Sequence, residues 1–186
     1  MEEREKLVDE IERHDVEDAR RGDRDAFDRL VIRYGRRVLS VAWGIVRNAA
    51  DAEDLAQEAF VRSWRKIEEF DPARAFGPWI CTIVTRLAID LVRRRKRWAF
   101  EQMDRSGDPV CSARTDRPLN DAEIARRIDE SIESLPEMQR IVARLHLVED
   151  FTISEIAEMT DLVEGTVRSH LSHARTRLKK ALEDLR

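Results

Sequence analysis

Aromatic side chains make up only 6% of this 186-residue sequence, and one tyrosine is among them. So small a supply does not fill one thick core, and it suits small helical domains with large solvated faces. Runs of β-branched residues alternating with period two are few, so no sheet is expected. The two cysteines, Cys81 and Cys111, lack metal-ligand spacing and read as reduced thiols of a cytoplasmic protein. No apolar run is long enough to span a membrane, and Met1 is followed by Glu2 and Glu3, the opposite of a targeting segment's basic start. The sequence has no catalytic triad, no metal cluster and no glycine-rich phosphate loop. It therefore reads as a non-enzyme with no catalytic residue, no metal and no cofactor. His14, His146, His170 and His173 are dispersed, and only the last two share an expected helix, where groove contact or solvation is favoured over a metal.

Charged residues, in contrast, are 39% of the chain. The net charge of -4 argues at first against a nucleic-acid partner, but the distribution matters more than the sum. Acid gathers in residues 1–28 and at Asp51, Glu53, Asp54 and Glu58. Base gathers at Arg93-Arg94-Arg95-Lys96-Arg97 and from Arg168 to Lys180.

The apolar positions predict an all-α fold. A modest helix spans about Glu5 to Arg20, with Leu7, Val8, Ile11 and Val16 inward, and Gly22-Asp23 breaks it. Asp23 caps a second helix, striped by Ala26, Phe27, Leu30, Val31, Tyr34, Val38, Val41 and Ala42 and ending near Asn48. Asp51 caps a third, running to about Ile67, with Ala52, Leu55, Ala56, Ala59, Phe60, Trp64 and Ile67 inward. Its outer Glu53, Asp54, Gln57 and Glu58 either favour the helix start through its dipole or offer a polar docking surface. Pro78 opens a fourth helix, inward at Ile80, Ile83, Val84, Leu87, Ala88 and Leu91, which finishes in the basic run and Trp98. Five adjacent cations repel each other, and phosphate contact is their readiest use. The exposed aromatic beside them also suits single-stranded DNA. Residues from about 99 to 119 read as a linker between domains at 1–98 and 120–186. Beyond it come a short helix from Ile124 to Ile132 and, after Leu135-Pro136-Glu137, another with Met138, Ile141, Val142 and Leu145 inward.

The C-terminal stretch carries the sharpest pattern. Thr152 and Glu155 have the spacing of a capping box, and Ile153, Ile156 and Ala157 share a face. Asp161 suits a turn. From Val163 a second helix places Val167, Leu171, Ala174, Leu178, Ala181 and Leu185 inward, with Arg168, Ser169, Ser172, Arg175 and Arg177 outside. That pattern fits a helix-turn-helix whose second helix enters a DNA major groove. It also fits a plain helical hairpin with a solvated basic face.

Taken together, the blocks resemble an extracytoplasmic-function sigma factor of the sigma-70 family, over about residues 24–97 and 121–182. Asp51-Ala52-Glu53-Asp54-Leu55-Ala56-Gln57-Glu58-Ala59-Phe60-Val61-Arg62-Ser63-Trp64 is similar to the family's region 2.2, and Trp79 to Arg95 is similar to regions 2.3 and 2.4. Leu135-Pro136 through Glu155-Ile156-Ala157, with Gly165-Thr166-Val167-Arg168-Ser169, matches region 4. The family pattern is broken at Arg86, where Asn is usual, and at His170 and His173, where Arg is frequent.

The resemblance implies two helical domains joined by a flexible linker. It implies a cytoplasmic factor that binds core RNA polymerase, recognises −35 and −10 promoter elements and promotes DNA melting. Asp51, Glu53, Asp54, Leu55, Gln57, Glu58 and Arg62 would bind the polymerase. Phe76, Trp79, Arg86, Asp90, Arg93, Arg94 and Arg95 would bind −10 DNA. Thr166, Arg168, Ser169, His170, Ser172, His173 and Arg175 would bind −35 DNA. An anti-sigma factor is the further partner expected, and no membrane span. The runner-up is a stand-alone helix-turn-helix regulator, which has no reason to share the Asp51–Arg97 block.

Overall fold

Each helix starts with unpaired N–H groups, and the sequence supplies acceptors at several of these points. The computed structural model describes residues 2–103 and 130–183. The chain runs through α1 (Glu2–Arg20), α2 (Arg24–Val46), α3 (Ala49–Lys66), a 3-10 turn at Ile67–Glu69, α4 (Phe76–Met103), α5 (Glu137–Leu147), α6 (Ile153–Thr160) and α7 (Glu164–Glu183). Residues 130–133 are also helical. All regular structure among the described residues is helical. Met1–Val92 with Ala157–Asp161 form one compact unit, and Arg93–Ile156 with Leu162–Arg186 form the other. Most of the expected linker lies outside the described residues, with Cys111, most of the expected Ile124–Ile132 helix, and Leu185.

In the first unit, Gly22 takes φ 93, which glycine adopts without a Cβ clash. Asp23 then caps α2, accepting the N–H groups of Asp25 at 2.9 Å and Ala26 at 3.2 Å. Arg47 closes the same helix in the left-handed region, its N–H bonded to the Trp43 carbonyl at 2.9 Å. The cap of α3 is Asn48, not Asp51: Asn48 accepts the Asp51 N–H at 3.0 Å, which places Asp51 inside the first turn. A carboxylate there complements the positive helix end.

The core of this unit collects Val16 and Ala19 from α1, Phe27, Leu30, Val38, Val41 and Ile45 from α2, Ala52, Leu55 and Ala59 from α3, and Ile80, Val84 and Ala88 from α4. Each large side chain so buried contributes roughly 1.5–3 kcal/mol. Phe27 packs on Trp64 at 5.0 Å between ring centres and edge-on to Phe60 at 6.5 Å. Phe60 and Trp64 are half-buried, as are Val31 and Tyr34, and Ile11, expected inward, is exposed.

Helix α4 begins at Phe76, two residues before Pro78. Proline is tolerated within the first turn because N–H groups there have no intrahelical partner. The Phe76 N–H finds one outside the helix, Glu12 Oε1 of α1, at 2.9 Å. The other oxygen of Glu12 accepts the Tyr34 hydroxyl, and Arg33 stands 3.8 Å away as counter-charge. Burial, then the bond to Glu12 and its charge, push the Tyr34 phenol well above its ordinary value. A Cβ at Gly77 would lie 2.7 Å from Tyr34 Cε1, so glycine is required there by close approach. At its far end α4 continues past Trp98 to Met103.

In the second unit, Ile132, Leu135, Ala143, Ala174 and Leu178 form one buried cluster, bringing α5 and α7 together. Pro136 precedes α5, whose Ile141, Val142 and Leu145 are buried, while Met138 is half-buried. The capping box forms: Thr152 N–H donates to Glu155 Oε2 at 2.8 Å, and Glu155 N–H donates to Thr152 Oγ1 at 3.3 Å. Asp161, which belongs with Ala157–Thr160 to the first unit, takes the left-handed conformation at φ 60. Helix α7 starts at Glu164, one residue after the expected Val163, which is exposed.

Candidate nucleic-acid and polymerase interfaces

A helix turns about 100° per residue, so its buried positions fix where every other side chain points. On α3, the buried Ala52, Leu55, Ala56, Ala59 and Ser63 define the inner face. Asp54 and Gln57 lie opposite and are exposed, with Val61 between them at 44% exposure. Glu53 and Glu58 flank this face, and Glu58 holds Arg62 at 2.6 Å. Leu55, expected as a docking residue, is buried instead, because its position falls on the inner face. Val61 carries no charge to draw notice, and helical phase was the only signal for it.

On α4, the buried Ile80, Val84 and Ala88 set the phase. Trp79, Arg86, Asp90 and Arg93 then fall within one narrow strip on the opposite side, and Arg97 continues it. Trp79 is half-buried and the other four are exposed. Phe76 does not join them. Its ring is fully buried, 5.5 Å from Tyr34, 5.8 Å from Phe70 and 5.5 Å from Trp79, so it serves as a core residue. The five basic residues do not share a face. Arg93 and Arg97 project with the strip and Lys96 beside them; Arg94 is turned by about 100° and Arg95 by about 200° from Arg93. The five therefore leave the helix in different directions.

On α7, Val167, Leu171, Ala174 and Leu178 are buried at steps of four, three and four. Ser169, Ser172 and His173 project from the opposite face and are exposed. Arg168 and Arg175, seven residues apart, share one edge of that face; Thr166 and His170, half-buried, share the other. Arg168 pairs with Glu164 one turn earlier at 2.7 Å. Arg175 Nη2 lies 3.3 Å from Nε2 of His146, a residue of which no role was expected. Nothing in local spacing could have found a pair 29 residues apart.

Comparison with known proteins gives the family. The Sigma-70 region 2 family profile matches residues 30–98, and the Sigma-70, region 4 profile matches residues 125–178. The RNA polymerase sigma-H factor of Pseudomonas aeruginosa is 32% identical over 190 residues, covering 96% of this chain and 97% of that one. The chain belongs to the ECF sigma factors of the sigma-70 family. The ECF RNA polymerase sigma-E factor of Escherichia coli, strain K12, is 31% identical over 190 residues, covering 97% of each chain. Among solved structures, CnrH in complex with the cytosolic domain of CnrY superposes with a TM-score of 0.67 at 24% identity, over 94% of this chain and 98% of that one, a likeness of fold. As a sigma factor, the protein serves transcription initiation. Region 2 spans α3 and the α4 strip, and region 4 spans α5, α6 and α7. Among the described residues no helix is long and apolar enough to cross a membrane, and no group of three or more His, Cys, Asp or Glu could hold a metal ion.

Proposed function

We propose that this sigma factor docks on core RNA polymerase through the outer face of α3, and holds −10 DNA along the α4 strip and −35 DNA along α7. It acts in the cytoplasm without catalysing a reaction itself. Polymerase docking falls to Asp54, Gln57, Glu58 and Val61, with Asp51, Glu53 and Arg62 at the margins. Val61 has Gln57 and Glu58 one turn before it and Arg65 one turn after it. An apolar contact there would sit between acidic and basic ends of the same face and suit a partner with an apolar patch flanked by both charges. The observation that carries the reading is the α4 strip: five residues spread over nineteen in sequence, Trp79, Arg86, Asp90, Arg93 and Arg97, return to one side of one helix. Arg93 and Arg97 neutralise phosphates at one end. Trp79, half-buried with its ring 4.5 Å from Phe70, offers ring surface at the other. Removing a base from the stack costs a few kcal/mol, and a site that holds the extruded base favours melting without ATP. On α7, Arg168 and Arg175 meet phosphate or guanine while Ser169, Ser172 and His173 face the groove.

An anti-sigma factor is the further partner. CnrH is known in complex with the cytosolic domain of CnrY, and RpoE of Bartonella quintana in complex with the anti-sigma factor NepR. The exposed Ile32 of α2 and Val163 before α7 are apolar surface that such a protein would cover.

The test is reconstitution of the purified chain with core polymerase on random-sequence templates. Sequence-selected initiation is expected, and the D54K/E58K double variant should weaken capture of core polymerase at least tenfold with its helical spectrum and melting unchanged. Absence of initiation from any template would refute the reading. Loss of fold in the double variant would mean that the carboxylates serve the helix and not the partner.

A further inference from the structure

We propose that His146 is a positioning residue for promoter recognition, a neutral acceptor that aims Arg175 at the DNA; this rests on the reading of α7 as the −35 helix. His146 lies in the last turn of α5 and is half-buried. Its Nδ1 is 2.9 Å from the carbonyl oxygen of Phe151. That residue is itself fixed, since its ring is buried and its N–H donates to the Leu145 carbonyl at 3.0 Å. A carbonyl oxygen only accepts, so Nδ1 carries the ring proton. The lone pair of Nε2 is then free to accept, and the Arg175 guanidinium donates to it at 3.3 Å.

The choice of acceptor matters to a residue that must still bind phosphate. Arg168 is held by a carboxylate, Glu164, which competes with DNA for the same cation. A neutral imidazole orients the guanidinium and leaves its charge uncancelled. Four of the five guanidinium N–H donors remain for phosphate or for a guanine edge. An arginine on an exposed helix face otherwise loses rotamer freedom when it binds, and a side chain held beforehand loses less. His146 thereby couples α5, which does not face the groove, to recognition by α7.

Two amide variants separate the links. Asn at 146 places a donor near Nδ1 and keeps the bond to Phe151, but offers nothing at Nε2. Gln reaches the Nε2 position with an acceptor for Arg175. The probe is a duplex enriched from a random-sequence pool by wild-type chain bound to core polymerase. H146N should bind this duplex about three- to tenfold more weakly, the equivalent of one ordinary hydrogen bond. H146Q should restore binding, and H146N should cost nothing further in an R175A background. The melting temperature of H146N should match wild type. Nitrogen NMR of His146 should report the Nδ1–H tautomer. A wild-type-like H146N, a loss that persists in R175A, or an Nε2–H tautomer would each overturn the proposal while leaving the promoter reading intact. A wild-type chain that enriches no duplex would overturn both.

Discussion

Neutralising two arginines of the basic run should flatten the salt dependence of promoter binding, but only if the right two are chosen. Arg93 and Arg97 are four residues apart and project from the same side of α4 as Arg86 and Asp90, whereas Arg95 is turned by about 200° from Arg93. Each duplex phosphate neutralised by a protein cation contributes about 0.9 to the slope of log affinity against log salt. Removing both contacts in R93A/R97A should therefore lower the slope by about 1.8. Between about 50 and 200 mM salt, log salt changes by about 0.6, so wild-type affinity should fall roughly tenfold further than that of the variant over the same range. R95A should change the slope by less than about half a unit. The assay is fluorescence-detected binding of holoenzyme to a promoter duplex at a series of salt concentrations, with circular dichroism to confirm that α4 persists. An unchanged slope in R93A/R97A would refute phosphate contact on this face. An R95A effect equal to that of either strip arginine would refute the assignment by helical phase, and the run would then act only as a diffuse positive charge.

Two further outcomes are expected. Tyr34 is the only tyrosine, so tyrosinate absorbance reports one group. Its phenol is raised in the folded state, so the unfolded state loses a proton that the folded state keeps. Stability is fully present below the unfolded value of about 10 and should decline above it by at most about 1.4 kcal/mol per pH unit. Y34F should abolish that part of the decline in alkaline denaturation curves, whereas tyrosinate forming near pH 10 with helicity intact would contradict the buried hydrogen-bonded hydroxyl. R168A should cost about 1–3 kcal/mol at one base pair if the guanidinium reads a base directly; a uniform loss across all −35 variants in a binding-site scan would show that it touches phosphate only.

What could be read from the sequence was what depends on residues up to four apart. The capping box of Thr152 and Glu155, the left-handed turn at Asp161, the Asp23 cap and the four-three-four stripe of α7 all have their partners within one helical turn. Errors arose where two local solutions competed or where the partner was remote. Asn48 and Asp51 are both able caps three residues apart. The left-handed Arg47 ends α2 just before Asn48 and so settles the choice in its favour. Phe76 resembled a residue available to DNA until α1 supplied Glu12, 64 positions away, to hold its N–H and draw the helix start inward. Arg97 could have been found by carrying the phase of Ile80, Val84 and Ala88 forward through the basic run. Reading the run as a block of charge hid the difference between Arg97 and Arg95.

The same phase bears on why a helix would carry such a run at all. Three like-charge pairs on α4 fall at helical spacings: Arg93 with Lys96, Arg93 with Arg97, and Arg94 with Arg97. Each destabilises a helix by about 0.2–0.5 kcal/mol. Glu137, 2.7 Å from Lys96, and Asp90, three residues before Arg93 and four before Arg94, offset part of the sum, and the pair of Arg93 with Arg97 keeps its repulsion. The high helix propensity of arginine and lysine offsets part of this. The buried Val84, Ala88 and Ile89 anchor the helix upstream, and they cannot relieve a repulsion that begins a turn beyond them. A polyanion along the strip can, because every phosphate that meets Arg93 or Arg97 removes repulsion within the helix as well as adding attraction across the interface. On the proposed reading, phosphate contact would therefore act on the part of α4 that carries most like charge, and the buried Val84, Ala88 and Ile89 fix the side from which Arg93 and Arg97 project.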